Sequence, residues 1–403
     1  MSALRILVLA QCLTDCRPHG EGLVAYEYLR RLAQQGHQLT VLASLVELRE
    51  PAPSNLHIQC VHSARQLSWF TNPITSRLEF ALRILPMIWR LRRKQHFDVV
   101  HQLNPVALGM NLCLPVGRTP LVLGPVFLDT MYNAPGVGSG LPSLIKRFMV
   151  WQLFHRAARV AGVLPLRYAL PQKAAERVRY LGFGGITPED FPWYERPTGS
   201  SALTILFLAN LREHKGIYDL LEAYKLVLAQ MPHTRLMIAG DGPENRRVSE
   251  LVLSLPSPAQ VTLLGSIPRD SIAAVYREAD VYCLPSHLEP FGMSALEAMA
   301  SGLPIVATTV GGLQQIVEPE GGLLVPPKNP AALANALLHL LRDLAMRQRM
   351  ATHNRKVVQE RYSWRVQISK LEDIYCEAIA QSEHEASALA EPESKEQAAS
   401  TPR

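Results

Sequence analysis

A chain of 403 residues with 48% hydrophobic and 19% charged residues is long enough for two ordinary domains with separate cores, which excludes a disordered or fibrous protein. No apolar run reaches the ~18 residues of a membrane span, and the six cysteines (Cys12, Cys16, Cys60, Cys113, Cys283, Cys376) lack metal-ligand spacing, so a reducing, cytoplasmic compartment is expected. The net charge of +6 conceals an asymmetry: residues 1–190 hold 21 Lys+Arg against 11 Asp+Glu and the remainder 20 against 24, so an anionic partner is expected on the first half.

Along the chain, the apolar run Ile6 to Ala10 is too short for a signal peptide and reads as a first parallel strand. A helical pattern from Gly22 to Gln35, the turn Gly36-His37 and a run Leu39 to Ala43 follow, with further runs at Val99 to His101 and Leu121 to Leu123. This alternation predicts a doubly wound α/β domain over residues 1–190. Gly, Pro and polar residues mark a linker at 191–202, and a second alternating series over 203–361 begins with Leu203 to Ala209. That series continues through a helix from Gly216 to Gln230 and runs at Arg235 to Ala239, Val261 to Leu264, Val281 to Leu284 and Pro304 to Thr308. A last helix is expected within 362–380, and the Ser-, Glu-, Ala- and Pro-rich residues 381–403 read as disordered.

The most informative stretch runs from Leu284 to Pro304. A strand ends at Leu284, a loop carries Glu289, and a helix should begin near Ser294 with Glu297 one turn inside it. A helix start offers unpaired N–H groups and partial positive charge, and Gly292 lets backbone approach a ligand, so a phosphate group suits the place. A plainer reading stands beside it: Ser294 and Glu297 also have the spacing of a capping box.

Glu289-x7-Glu297, with Phe291-Gly292 between and Glu-Ala-Met-Ala-Ser-Gly-Leu-Pro-Ile-Val-Ala following, closely resembles the signature of the family 4 retaining glycosyltransferases. Leu206 to Gly216 resembles that family's phosphate loop. Lys215 matches its lysine, Asn210 stands where the family has Arg, and Arg212 lies near enough to substitute. Gly240-Asp241-Gly242-Pro243 and Gly311-Gly312 follow in family order. In the first half, His19-Gly20 keeps the second glycine of a Gly-Gly loop, and His101 matches a strand-end family histidine.

The resemblance implies the GT-B fold: two Rossmann-like domains facing a cleft, with the last helix crossing back onto the first domain. It implies a metal-independent transferase whose donor is a nucleotide-diphosphate sugar, with no cofactor besides that substrate. Glu289, Lys215 and His101 would serve catalysis, while Gly20, Asn210, Arg212, Gly240, Gly292, Met293, Ser294 and Glu297 would hold the donor, Glu289 touching sugar hydroxyls and Glu297 the ribose. The expected acceptor is a lipid-linked sugar or growing polysaccharide of the cell envelope. The absence of Asp-x-Asp from the chain fits a site without metal.

Residues 77–94 and 144–159 mix cationic with apolar and aromatic residues at helical spacing. Two readings fit: helices lying on the cytoplasmic face of an anionic membrane, or apolar stripes packed inward beneath solvated arginines. No nucleic-acid fold signature accompanies the charge. A rival from another class is a non-catalytic sugar-nucleotide sensor or membrane-surface scaffold, suggested by Asn210 and His19; an epimerase of the same fold fits the Glu motif less well.

Overall fold

The computed structural model describes residues 2–15, 21–61, 73–103, 118–126, 157–163, 175–192 and 202–397. The chain forms two compact units, Met1–Phe183 with Gln367–Arg403, and Gly184–Val366. The first unit ends at Phe183 rather than 190. Ile186 exchanges backbone hydrogen bonds with Tyr362 and Trp364, and Gly185 lies so close to Trp364 that a Cβ would meet its ring at 2.6 Å, which ties this stretch to the second unit.

Among the described residues the first unit holds a parallel sheet in the order β3-β2-β1-β4-β5-β6-β7. Its strands are β1 (Arg5–Thr14), β2 (Gln38–Glu47), β3 (Leu56–Cys60), β4 (Val99–Gln102), β5 (Leu121–Val126), β6 (Arg159–Gly162) and β7 (Val178–Tyr180). The central strands are buried on both faces, which explains their unbroken apolar runs. Helix α1 (Glu21–Gln34) follows β1, and α2 (Pro73–Lys94) sets Ile84 and Ile88, one turn apart, into a core with Leu7, Phe97 and Val100.

Among its described residues the second unit winds a six-stranded sheet, β10-β9-β8-β11-β12-β13. Its strands are β8 (Thr204–Leu208), β9 (Arg235–Ala239), β10 (Val261–Gly265), β11 (Val281–Leu284), β12 (Ile305–Thr308) and β13 (Gly322–Val325). Among them run α3 (Ile217–Leu228), α4 (Asn245–Leu253), α5 (Ile272–Arg277), α6 (Met293–Ala300), α7 (Leu313–Ile316), α8 (Pro330–Arg342) and α9 (Leu344–Val357).

Helix α10 (Trp364–Gln397) carries the chain back to the first unit. It buries Leu371, Tyr375 and Ala378 there. Glu377 pairs with Arg159 at 2.9 Å and Arg179 at 2.8 Å, and His37 Nε2 lies 2.9 Å from Glu372. The segment expected to be disordered from residue 381 is instead helical as far as Gln397, because Ala, Glu and Gln, which dilute its apolar content, are strong helix formers. No helix among the described residues is long and apolar enough to cross a membrane.

The innermost bond of this docking is between Tyr375 and His101. The Tyr375 hydroxyl donates to His101 Nδ1 at 2.6 Å, and His101 Nε2 donates to the Gly124 carbonyl at 2.8 Å. Burial holds the imidazole neutral, lowering its pKa to about 4 against the opposing effect of the Gly124 bond. Tyr375→Phe should leave Nδ1 buried without a donor and destabilise the protein by about 1–3 kcal/mol, read from thermal or urea melts. Between pH 6.5 and about 4 the unfolded chain takes up a proton that folded His101 refuses. The contribution of His101 is therefore complete above pH 6.5 and declines as pH falls, so the stability gap between the native protein and His101→Gln should narrow from pH 7 to pH 4.

Candidate active site

In the second sheet the winding reverses between β8 and β11, with β9 and β10 on one side and β12 and β13 on the other. Loops leaving the carboxyl ends of two such strands diverge, and the crevice between them is where ligands of open α/β sheets bind. Asn210, Arg212, Lys215, Gly240, Glu289, Gly292, Met293, Ser294 and Glu297 all lie in loops or a helix start at this edge.

The loop after β8 and the loop after β11 touch at Gly216. Its φ is +75° and an added Cβ would lie 1.8 Å from the Pro285 carbonyl oxygen, so only glycine fits. The His214 carbonyl accepts the His287 N–H at 2.7 Å, and His287 Nε2 lies 2.7 Å from Asp219 Oδ2. Across this seam Lys215 Nζ donates to Glu289 Oε2 at 2.7 Å. Glu289 is only 7% exposed, and Ser286 Oγ lies 3.4 Å from the same carboxylate oxygen. Thr308 bonds the Ser286 carbonyl, and Gly312 N–H donates to the Glu289 carbonyl at 3.0 Å. Asn210 and Arg212 are exposed on the first loop, with Arg212 Nε donating to Asn210 Oδ1 at 3.1 Å. Gly240, φ +131°, packs on the Ala209 carbonyl at a distance that admits no side chain.

Helix α6 starts from Gly292, φ +101°, with no side-chain cap. The N–H groups of Gly292, Met293 and Ser294 have no hydrogen-bond partner among the described residues. The capping box does not form: Glu297 is 3% exposed and its Oε2 accepts from the Tyr276 hydroxyl at 3.0 Å instead. Burial raises the Glu297 pKa, with Arg269 and the Tyr276 bond opposing. Ser294 Oγ turns to the Tyr282 hydroxyl, 2.8 Å away. Three amide donors, one lysine, an exposed arginine and two carboxylates thus share one edge of the sheet, an arrangement able to take an anion beside a polyhydroxyl group.

Two expected site residues remain, both in the sequence of the first unit. His101 lies in the first unit, fully buried with both ring nitrogens engaged, so it is a packing histidine with neither nitrogen open to a substrate. Gly20, with His19, lies outside the described residues. Ser286, Thr308, Tyr276 and Tyr282 were not singled out in the sequence. Ser286 and Thr308 are polar residues just past or at the end of apolar strands, which is a usable signal, whereas the tyrosines read as ordinary core aromatics.

The model for "Glycosyl transferases group 1" matches residues 196–357, and that for "Glycosyltransferase Family 4" matches residues 19–163. A phosphatidyl-myo-inositol mannosyltransferase of Mycobacterium leprae is 36% identical over 356 residues, 86% of this chain and 90% of that protein. An uncharacterized glycosyltransferase of Methanocaldococcus jannaschii is 35% identical over 194 residues, 45% of this chain, and the match spans 50% of that relative's length. Among solved structures, sucrose-phosphate synthase from Thermosynechococcus elongatus superposes with a TM-score of 0.70 at 21% identity, covering 94% of this chain and 100% of that one. Anabaena HepE in complex with UDP and glucose gives 0.65 at 17%, covering 92% and 98%. With one family model on each half, and a relative that matches along 90% of its own length, the chain belongs to glycosyltransferase family 4 and has the GT-B fold.

Proposed function

We propose that this glycosyltransferase moves a sugar from a nucleotide-diphosphate sugar to a lipid-linked sugar or growing polysaccharide, keeping the anomeric configuration and using no metal ion. The observation that carries the reading is the Lys215–Glu289 pair beside the unpartnered N–H groups of Gly292, Met293 and Ser294. A diphosphate at the α6 start would draw Lys215 from Glu289, and the amides would bind its oxygens. Released from the lysine, Glu289 becomes an acceptor for sugar hydroxyls, and Glu297 serves the ribose. Negative charge grows on the leaving diphosphate as the bond to the anomeric carbon breaks, and fixed donors stabilise it without reorganising. The acceptor hydroxyl then enters on the face the diphosphate leaves, giving its proton to the departing phosphate oxygen, which retains configuration. Cationic charge comes from Lys215, the helix start and Arg212. A nucleotide-sugar donor agrees with the likeness to HepE, crystallised with UDP-glucose as well as UDP.

A lipid acceptor accords with the name of the Mycobacterium leprae relative and with α2. Ile84 and Ile88 take the inward face, yet Leu82 and Trp89 are 61% and 53% exposed beside Arg83, Arg90, Arg93 and Lys94, and the Arg93 guanidinium lies 3.4 Å from the Trp89 ring centroid. This outer face is both basic and apolar, as an anionic membrane surface on the cytoplasmic side requires. In the second basic segment Arg159 belongs to the α10 docking rather than to the surface, and residues 144–156 lie outside the described residues. No observation favours the sensor or scaffold reading.

Lys215→Ala and Glu289→Ala should each lower turnover at least tenfold, a loss of ~1.4 kcal/mol at the transition state. Each also strands its partner in a largely buried place, so both single variants should melt lower than the double variant, which restores stability and not activity. Unchanged turnover in both singles would remove these residues from the site. For the phosphate loop, calorimetric titration with UDP should show weaker binding in Arg212→Ala and no gain in Asn210→Arg; the opposite pair of results would mean that Arg212 does not replace the missing arginine. On anionic vesicles, replacing Arg90, Arg92, Arg93 and Lys94 together by Gln should cut cosedimentation steeply at low salt, since each cation near such a surface contributes about 1 kcal/mol. Undiminished cosedimentation would leave α2 an ordinary solvated helix.

A further inference from the structure

Two buried tyrosines hold the first turn of α6, and they do different things. Their ring centroids are 6.0 Å apart. The Tyr282 hydroxyl lies 3.0 Å from the Leu208 carbonyl oxygen and 2.8 Å from Ser294 Oγ, so it donates to the end of β8 and accepts from the serine. The Tyr276 hydroxyl, from α5, lies 3.0 Å from Glu297 Oε2 and 3.0 Å from the Ser294 carbonyl oxygen. One proton serves one of these acceptors at a time, and a carboxylate is the stronger.

Tyr276 is the one hydrogen-bond donor that Glu297 has among the described residues. The other groups facing it are Arg269, just ahead of α5, which interacts with it through space without an ion pair, and Tyr282 of β11, whose proton is committed to Leu208. A carboxylate this buried tends to take up a proton, and its two oxygens are equivalent until something distinguishes them. A neutral phenol distinguishes them without cancelling the charge, which a lysine or arginine in its place would do.

Resting on the reading of Glu297 as the contact for the nucleotide ribose, we propose that Tyr276 is a positioning residue for the donor: its hydroxyl engages Oε2, keeps the carboxylate ionised and leaves Oε1 to accept from the ribose hydroxyls. Tyr276 touches no substrate itself.

The test is calorimetric titration from pH 5 to pH 8 with whichever of UDP, ADP and GDP binds tightest, on the native protein, Tyr276→Phe, Glu297→Gln and the double variant. The Glu297→Gln profile carries the titration of the nucleotide and of all other side chains, and the remaining profiles are compared with it. Loss of the phenol raises the Glu297 pKa further, so the affinity that Glu297 contributes should disappear at a higher pH in Tyr276→Phe, by about one pH unit. The double variant should bind no more weakly than Glu297→Gln. A 3-fluorotyrosine at position 276, a stronger donor of nearly the same shape, should move the midpoint the other way. If Tyr276→Phe or the fluorinated protein superimposes on the native profile while Glu297→Gln binds weakly, the positioning role is wrong and the ribose reading stands. If Glu297→Gln binds like the native protein, the ribose reading falls and the positioning role with it.

Discussion

Gly216 sets how close the two central loops of the second sheet can come. Strands β8 and β11 are neighbours whose following loops head in opposite directions, and the contact of Gly216 with the Pro285 carbonyl brings them together where they leave the sheet. A side chain there would push the loops apart and break the Lys215–Glu289 bond, which spans the same seam. The His287 N–H and side chain, bonded to His214 and Asp219, reinforce it from the other side of Pro285. Glycine is thus needed for close approach, and the chemistry of the edge depends on that approach.

The second constraint is the lack of a cap on α6. Natural helices satisfy their first N–H groups with Ser, Thr, Asp or Asn side chains. Here Ser294 and Glu297 are both present at the right spacing and both turned away, to Tyr282 and Tyr276. Their diversion leaves the amides of the first turn open and places a carboxylate inside the protein. An uncapped start and a buried acid each cost stability, and together they are the features on which the proposed donor site rests.

Much of this was legible in the sequence. The strands that frame the site, β8, β9, β11 and β12, are short apolar runs, with Gly240, Pro285 and Pro304 marking ends of the last three, and Glu289, Lys215 and Gly292 stand in the pattern that carries the family resemblance. Edge elements were harder to read: β3 and β7 have exposed positions and no apolar run, so periodicity does not announce them. The capping box was a fair local reading that tertiary structure overrode, since spacing along the chain cannot show that two tyrosines from α5 and β11 compete for the same side chains. His101 failed for the converse reason. A strand-end histidine looks available in one dimension, and the residue that occupies it, Tyr375, lies 274 positions away.

That separation bears on how the protein is made. The second unit is one continuous stretch, Gly184–Val366, whereas the first is completed by residues from Gln367 onward. During synthesis Met1–Phe183 leaves the ribosome before the helix that carries Tyr375, and Arg159, Arg179 and His37 lack Glu377 and Glu372 until α10 follows. The second unit, being one continuous stretch, reaches its full set of residues before the first does, although it begins later. Completion of the first unit therefore waits on α10, which the chain supplies only after the whole of Gly184–Val366.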